Sequence, residues 1–211
     1  MRALQFDLRI ALMLCALTIQ APSGALAQAK EVIPVFPVVD SARELKGRAL
    51  TTALRAGGYV LYMRHAMQIP PFDGPCDKSN LTAEGEAQAR KVGAAIRALK
   101  IPIGRLLTSE PCRNLDTARL LGLGEYEISA DINPLGLRPG FDVASARNAR
   151  LMEMPPPGSN TLLVSHMHGA KERREWVELE LAEIIVYRPN GKTLTAPVAR
   201  IRLETWEELQ R

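Results

Sequence analysis

Apolar residues along this chain gather into short continuous runs, separated by longer segments in which they recur with helical spacing. The clearest run, residues 59–63 (Tyr-Val-Leu-Tyr-Met), follows the pair Gly57-Gly58 and stops abruptly at Arg64-His65. Residues 103–108 and 161–164 form two more compact runs, and residues 126–130 a shorter one. Residues 184–187 and 197–203 flank an Asn190-Gly191 turn. Runs of this length and composition fit strands buried on both faces of a sheet. Between them, residues 41–55 carry an apolar stripe of Ala42, Leu45, Ala49, Leu50, Ala53 and Leu54, with Ser41 as the predicted cap. Residues 82–100 predict a second helix capped by Thr82, with Gly85 a tolerated weak point in its first turn. A third helix is expected to open at Ser109, with Pro111 in its first turn, and to run through Leu121. Residues 143–154, the charge-rich 171–183 and the last turn 205–209 complete the predicted helices. Strands alternating with helices argue a three-layer α/β/α sandwich around a mostly parallel sheet.

In such a sheet, ligands bind at the carboxyl ends of the strands. Three strand ends here carry chemistry: Arg64-His65 after the first, Arg113 in the helix opening after the second, and His166 after the third. Two guanidiniums and two imidazoles on one rim suit a phosphoryl group. The arginine fork matches phosphate oxygens, and a neutral imidazole can attack phosphorus. A metal site is disfavoured, because the chain has three histidines and two arginines beside them would repel a cation. No cofactor is implied.

Composition narrows the reading further. The 211 residues are 46% hydrophobic and 24% charged, which suits one ordinary globular domain. The net charge of +4 is mild, and at 5% aromatic content no basic stretch is interleaved with aromatics, so nucleic acid is not an expected partner. At the N-terminus, Arg2 and Arg9 precede the apolar stretch 10–19, and Ala25-Leu26-Ala27 follows as a cleavage signal. Residues 1–27 therefore predict a cleavable export signal, leaving residues 28–211 as a single domain in a bacterial periplasm. The apolar stretch is too short for a comfortable membrane span. Residues 28–40 read as an extended leader. After cleavage two cysteines remain, Cys76 and Cys112, and whether they pair is left open. Neither is followed six positions on by arginine (the residues are Thr82 and Ala118), which excludes a cysteine-nucleophile phosphatase.

From residue 43 to residue 166 the sequence resembles the histidine phosphatase superfamily, with its phosphoglycerate-mutase-like fold. Arg64-His65-Ala66 stands where that family has Arg-His-Gly. Residues 81–96 (LTAEGEAQARKVGAAI) resemble its Leu-Thr-x-x-Gly-x-x-Gln-Ala helix. Residues 108–120 (TSEPCRNLDTARL) resemble its Ser-x-x-x-Arg-x-x-x-Thr-Ala segment, and residues 160–166 (NTLLVSH) its second-histidine strand. The resemblance implies His65 as a nucleophile forming a phosphohistidine. It also implies Arg64 and Arg113 as clamps on the phosphoryl oxygens, with His166 completing a pocket without a metal.

Two departures bear on activity. Ala66 replaces the motif glycine, and Met167 stands where one branch of the family has an acidic residue. The general acid is thus unassigned, with Asp131, Glu110 and His168 as candidates. The expected function is a phosphohydrolase acting on a small phosphorylated substrate or a phosphoprotein. The alternative is an inactive relative that binds a phosphorylated ligand or a protein partner. Substrate identity, set by the loops 67–80 and 131–140, and oligomeric state are not legible.

Overall fold

The computed structural model describes residues 39, 42–70, 76, 80–133, 141–170 and 175–211, without the side chains of residues 143, 168–170 and 175–177. The export signal, the leader 28–38, the Ser41 cap and most of the loops 67–80 and 131–140 lie outside the described residues.

A six-stranded sheet forms the centre, in the order β3-β2-β4-β1-β7-β8. Its strands are β1 (Val60–Arg64), β2 (Ile103–Thr108), β3 (Glu127–Ile128), β4 (Asn160–Ser165), β7 (Ile184–Tyr187) and β8 (Ala199–Ile201). The pairs β1–β4, β2–β4 and β2–β3 are parallel, and β7 runs antiparallel to both β1 and β8. The sheet is therefore mostly parallel, as the alternation of strands and helices predicts.

Both faces are covered, which is why the central strands lack a polar alternation. On one face Leu61 and Met63 of β1, Leu162 and Val164 of β4, and Ile184 and Val186 of β7 join a core filled out by Leu54, Val92, Ile96, Leu121 and Trp206. These come from α1 (Gly47–Ala56), α2 (Ala83–Ala98), α3 (Cys112–Leu121) and α5 (Thr205–Leu209). On the other face Val60, Tyr62, Leu163, Ile185 and Tyr187 pack with Ile132 and with Leu151 of α4 (Val143–Met152). The three layers are those expected.

Three elements depart from expectation. The first helix begins at Gly47 rather than at Ser41; Leu45 N–H instead donates to Val198 O at 2.7 Å, which ties the entering chain to the sheet. The helix after β2 is preceded by Pro111, and Ser109 does not cap it. The third departure is the largest. Within 171–183 the described residues are not helical: β6 (Glu175–Val177) pairs antiparallel with β5 (His168–Ala170), and residues 178–183 follow as an irregular turn. A solvated charge pattern is compatible with helix, but it supplies no buried stripe to hold one against the sheet.

Cys76 and Cys112 form a disulfide with their Cα atoms 5.2 Å apart. It pins the loop after β1 to the first residue of α3. Closing a loop of this size is worth roughly 3–4 kcal/mol in the chain-entropy picture.

Gly85 and Gly93 on α2 are required by close approach rather than merely tolerated. A Cβ on Gly85 would lie 2.0 Å from Met67 O, and one on Gly93 1.8 Å from Leu121 O. Both obstacles are backbone, so neither can swing aside. Gly93→Ala is therefore expected to lower stability by about 1–3 kcal/mol through overpacking against α3. Urea unfolding of the purified variant measures this, and an unchanged midpoint would contradict the packing described.

Candidate active site

The rim at the carboxyl ends of β2, β4 and β1 is built by strand register. Arg64 pairs with Ser165, and Thr108 with Val164. The ladder continues one residue past each strand end: His65 N–H donates to Ser165 O at 2.8 Å, and Ser109 N–H to Val164 O at 3.0 Å. Three neighbouring parallel strands thus deliver Arg64-His65, Ser109 and His166 to one level.

The end of β1 and the residues just after it are held by three elements. Arg64 N–H donates to Glu183 O at 3.0 Å and Ala182 N–H to His65 O at 3.2 Å, both from the turn before β7. Ala66 N–H donates to Thr117 Oγ1 on α3 at 3.1 Å, while that hydroxyl donates to Arg113 O at 2.7 Å. Met67 N–H donates to Gln88 Oε1 at 3.0 Å, and Met67 O accepts from Thr82 N–H at 3.0 Å. The Leu-Thr-x-x-Gly-x-x-Gln pattern of α2 therefore has a mechanical meaning. Thr82 caps the helix by accepting from Gly85 N–H, Gly85 admits the Met67 carbonyl, and Gln88 holds the Met67 amide. Ala66 is fully buried, and its φ is not in the left-handed region. An added methyl at the motif glycine position is thus packed into the core without backbone strain.

The four expected side chains come together. The His65 and His166 rings meet edge to face with centroids 5.2 Å apart, and an Arg113 Nη2 donor lies 3.4 Å from His166 Nδ1. Both imidazoles are buried, as is Arg113, at 4% exposed rather than projecting into solvent. His65 Nδ1 lies 2.8 Å from Ala66 O and so carries the hydrogen, which leaves Nε2 with a free lone pair. His166 accepts from Arg113 at Nδ1, so its Nε2–H faces the Ser109 hydroxyl at 3.3 Å.

Electrostatics keep both rings neutral. Burial pushes the His65 imidazole down to about 4, with the positive charges of Arg113 and Arg64 adding to the effect against the Ala66 carbonyl. His166 is depressed further by burial, by His65 and by the same two guanidiniums. Burial also lowers Arg64, while Glu178 and Glu183 act to keep it charged. Both guanidiniums thus bias both rings toward the neutral form.

The remaining candidates divide. Asp131 is engaged by Arg150 of α4, whose Nε and Nη2 lie 3.0 and 2.8 Å from Oδ2. Glu110 follows Ser109 directly and accepts from Asn133 Nδ2 at 2.7 Å. The His168 side chain lies outside the described residues. Ser109 and Leu179 were not identified from the sequence as site residues. In the sequence Ser109 has the signature of a helix cap although it opens the Ser-x-x-x-Arg pattern, and Leu179, whose carbonyl accepts from Arg64 Nη1, lies in a stretch whose charge pattern predicts helix. Among the described residues, no group of three or more His, Cys, Asp or Glu is placed to hold a metal ion.

No family model matches the sequence, and no curated protein matches it. Solved structures do. A protein histidine phosphatase SixA complexed with tungstate aligns with 69% of this chain and 97% of its own, at 17% identity and a TM-score of 0.52. A histidine-to-alanine mutant of a phosphoserine phosphatase from Entamoeba histolytica in complex with phosphoserine aligns with 66% of this chain and 96% of its own, at 16% identity and a TM-score of 0.43. A phosphoglycerate mutase from Plasmodium falciparum covers 51% of this chain and 60% of its own, at 15% identity and a TM-score of 0.37. Together with the parallel rim and its two-histidine pocket, the first of these likenesses assigns the architecture: the chain has the fold of the histidine phosphatases.

Proposed function

We propose that the chain is a phosphohydrolase that cleaves phosphomonoesters through a phosphohistidine on His65. The observation that carries this is the orientation of the His65 ring: Nδ1–H is spent on Ala66 O, which leaves Nε2 with a lone pair on a ring that meets His166, itself bonded to Arg113, edge to face. Nε2 attacks phosphorus, the bond from phosphorus to the ester oxygen breaks, and the departing alkoxide takes a proton. Water then attacks the phosphohistidine, the P–N bond breaks, and inorganic phosphate leaves with His65 restored. Arg64 and Arg113 neutralise the phosphoryl oxygens as charge shifts through the transition state, and the His166 Nε2–H supplies a further donor. Glu110, steadied by Asn133, is the side chain we assign to protonating the leaving oxygen. The SixA structure to which this fold is similar is complexed with tungstate, an oxyanion, which supports an anion-binding reading of the rim.

Export to a periplasm, with residues 1–27 removed, belongs to the same proposal; a disulfide between Cys76 and Cys112 favours an oxidising compartment.

A panel of phosphomonoesters tests the activity by phosphate release. His65→Ala and Arg113→Ala are each expected to cut turnover about a thousandfold or more. A phosphoryl-enzyme should be trapped by alkaline quench from the parent and not from His65→Ala. Turnover that survives His65→Ala would overturn the mechanism; phosphate binding without turnover across the panel would favour a binding protein instead.

The buried imidazole also sets a pH dependence. Because His65 titrates near 4 in the folded protein and near 6.5 when unfolded, the unfolded chain binds more protons between those values. Stability is thus fully present above about pH 6.5 and is lost as pH falls towards 4, by about 3 kcal/mol from this group. Urea unfolding between pH 7 and pH 4.5 should show a shallower loss for His65→Asn than for the parent. Identical slopes would refute the desolvation argument.

A further inference from the structure

The turn 178–183 replaces the helix expected after the second histidine, and it contains a carboxylate with no exposure at all. Glu183 is 0% exposed, yet it lies next in sequence to the apolar strand β7. Its carboxylate receives the Arg200 guanidinium through Nε and through Nη2, the latter at 2.7 Å from Oε2. Oε2 also accepts from Glu180 N–H at 2.7 Å, so the side chain braces its own turn from within. Arg200 Nη2 closes the outside by donating to Glu178 O at 3.1 Å. A buried ion pair is seldom retained for stability alone, because desolvating two charges offsets most of their attraction.

On its other side the braced turn meets the residues at the end of β1. The Leu179 carbonyl accepts from Arg64 Nη1, the Glu183 carbonyl accepts from Arg64 N–H at 3.0 Å, and Ala182 N–H donates to His65 O at 3.2 Å. The turn would not keep this shape unaided. Ala182 is held at φ +60°, in the left-handed region that residues with a Cβ enter at a cost. With Nη1 committed to Leu179 O, the Nε edge of Arg64, which is buried and makes no hydrogen bond, is left to meet an oxyanion.

We infer that Glu183 is the positioning residue for Arg64: paired with Arg200, its carboxylate locks the 179–183 turn, whose carbonyls aim the Arg64 guanidinium at the phosphoryl site. This rests on the phosphatase reading of the rim, and it adds a part that the motifs do not contain. Arg202, whose Nε lies 3.1 Å from Glu180 and 3.7 Å from Glu183, sits on the outer side of the same cluster and makes no contact with Arg64 in this scheme.

Inorganic phosphate binding, measured by calorimetry at a temperature where every variant is folded, tests the inference. Glu183→Gln keeps the shape and removes the charge, and it is expected to weaken phosphate binding about tenfold. Arg200→Gln, which releases the carboxylate from the other side, should do the same and stands in should Glu183→Gln not fold. Leu209→Ala in α5, a destabilised control in the apolar core that makes none of the hydrogen bonds described at the rim, should bind phosphate as the parent does. Glu183→Asp should recover part of the affinity. Parent-like phosphate binding by Glu183→Gln and Arg200→Gln would overturn the inference, and so would an equal loss in Leu209→Ala. Arg64→Ala separates the two levels of the argument. If it leaves phosphate binding intact, the reading of the rim itself fails; if it abolishes binding while the Glu183 and Arg200 variants do not, only the positioning role fails.

Discussion

The parallel pairing of β2, β4 and β1 is the constraint on which the rest of the molecule depends. Side chains alternate along a strand, so a slip of one residue in either pair would exchange the two buried faces. Here both faces are filled, by Leu61 and Met63 on one side and Val60 and Tyr62 on the other, so a slip would misplace every one of these side chains at once. The same register sets Arg64 level with Ser165 and Thr108 level with Val164. Core packing and site geometry are therefore one specification: the apolar residues that choose the register also choose where the arginines and histidines emerge.

What emerges is a pocket whose chemistry comes from desolvation. An imidazole in water near neutral pH is divided between charged and neutral forms, and only the neutral form offers a lone pair. Burial and two neighbouring guanidiniums hold His65 and His166 in the neutral form. The positive potential that keeps the rings unprotonated is also one that would draw an oxyanion in, so an anion would meet imidazole nitrogens already free of the extra proton. The tautomers follow from the neighbouring groups, since Ala66 O takes one hydrogen of His65 and the Arg113 guanidinium occupies Nδ1 of His166.

The loops around the rim show a division of labour among the helices. Thr117 on α3 holds Ala66, while Thr82, Gly85 and Gln88 on α2 hold Met67. The turn before β7 holds Arg64 and His65 in turn. Residues 64–67 thus have little freedom, even though they lie outside regular structure from His65 onward. On the far side of the rim the chain departs from a helical return: a short antiparallel strand pair and a braced turn take its place, and a buried carboxylate does the bracing.

Much of this was legible in the amino-acid order, for reasons that are local. Continuous apolar runs name strands buried on both faces, Thr82 names a helix start, and the order of Arg64-His65, Arg113 and His166 names three strand ends that a parallel sheet must bring to one edge. The Ser-x-x-x-Arg-x-x-x-Thr pattern even holds Ser109 and Thr117, although their partners cannot be read from it. Gly85 looks like a flaw until a carbonyl from another segment is seen to fill the space its Cβ would occupy. Glu183 looks like a solvated charge, because burial of a charge is decided by which groups meet it across the fold. The run 171–183 looks helical because charge spacing carries no information about long-range pairing. The sequence by itself determined the layers, the strand order of the chemistry and the residue types at the rim, since these depend on periodicity and on the hydrophobic pattern. Only the tertiary structure decided which charges are buried, which tautomers the imidazoles adopt and what holds Arg64 in place, since each of these arises from contacts between residues far apart in the chain.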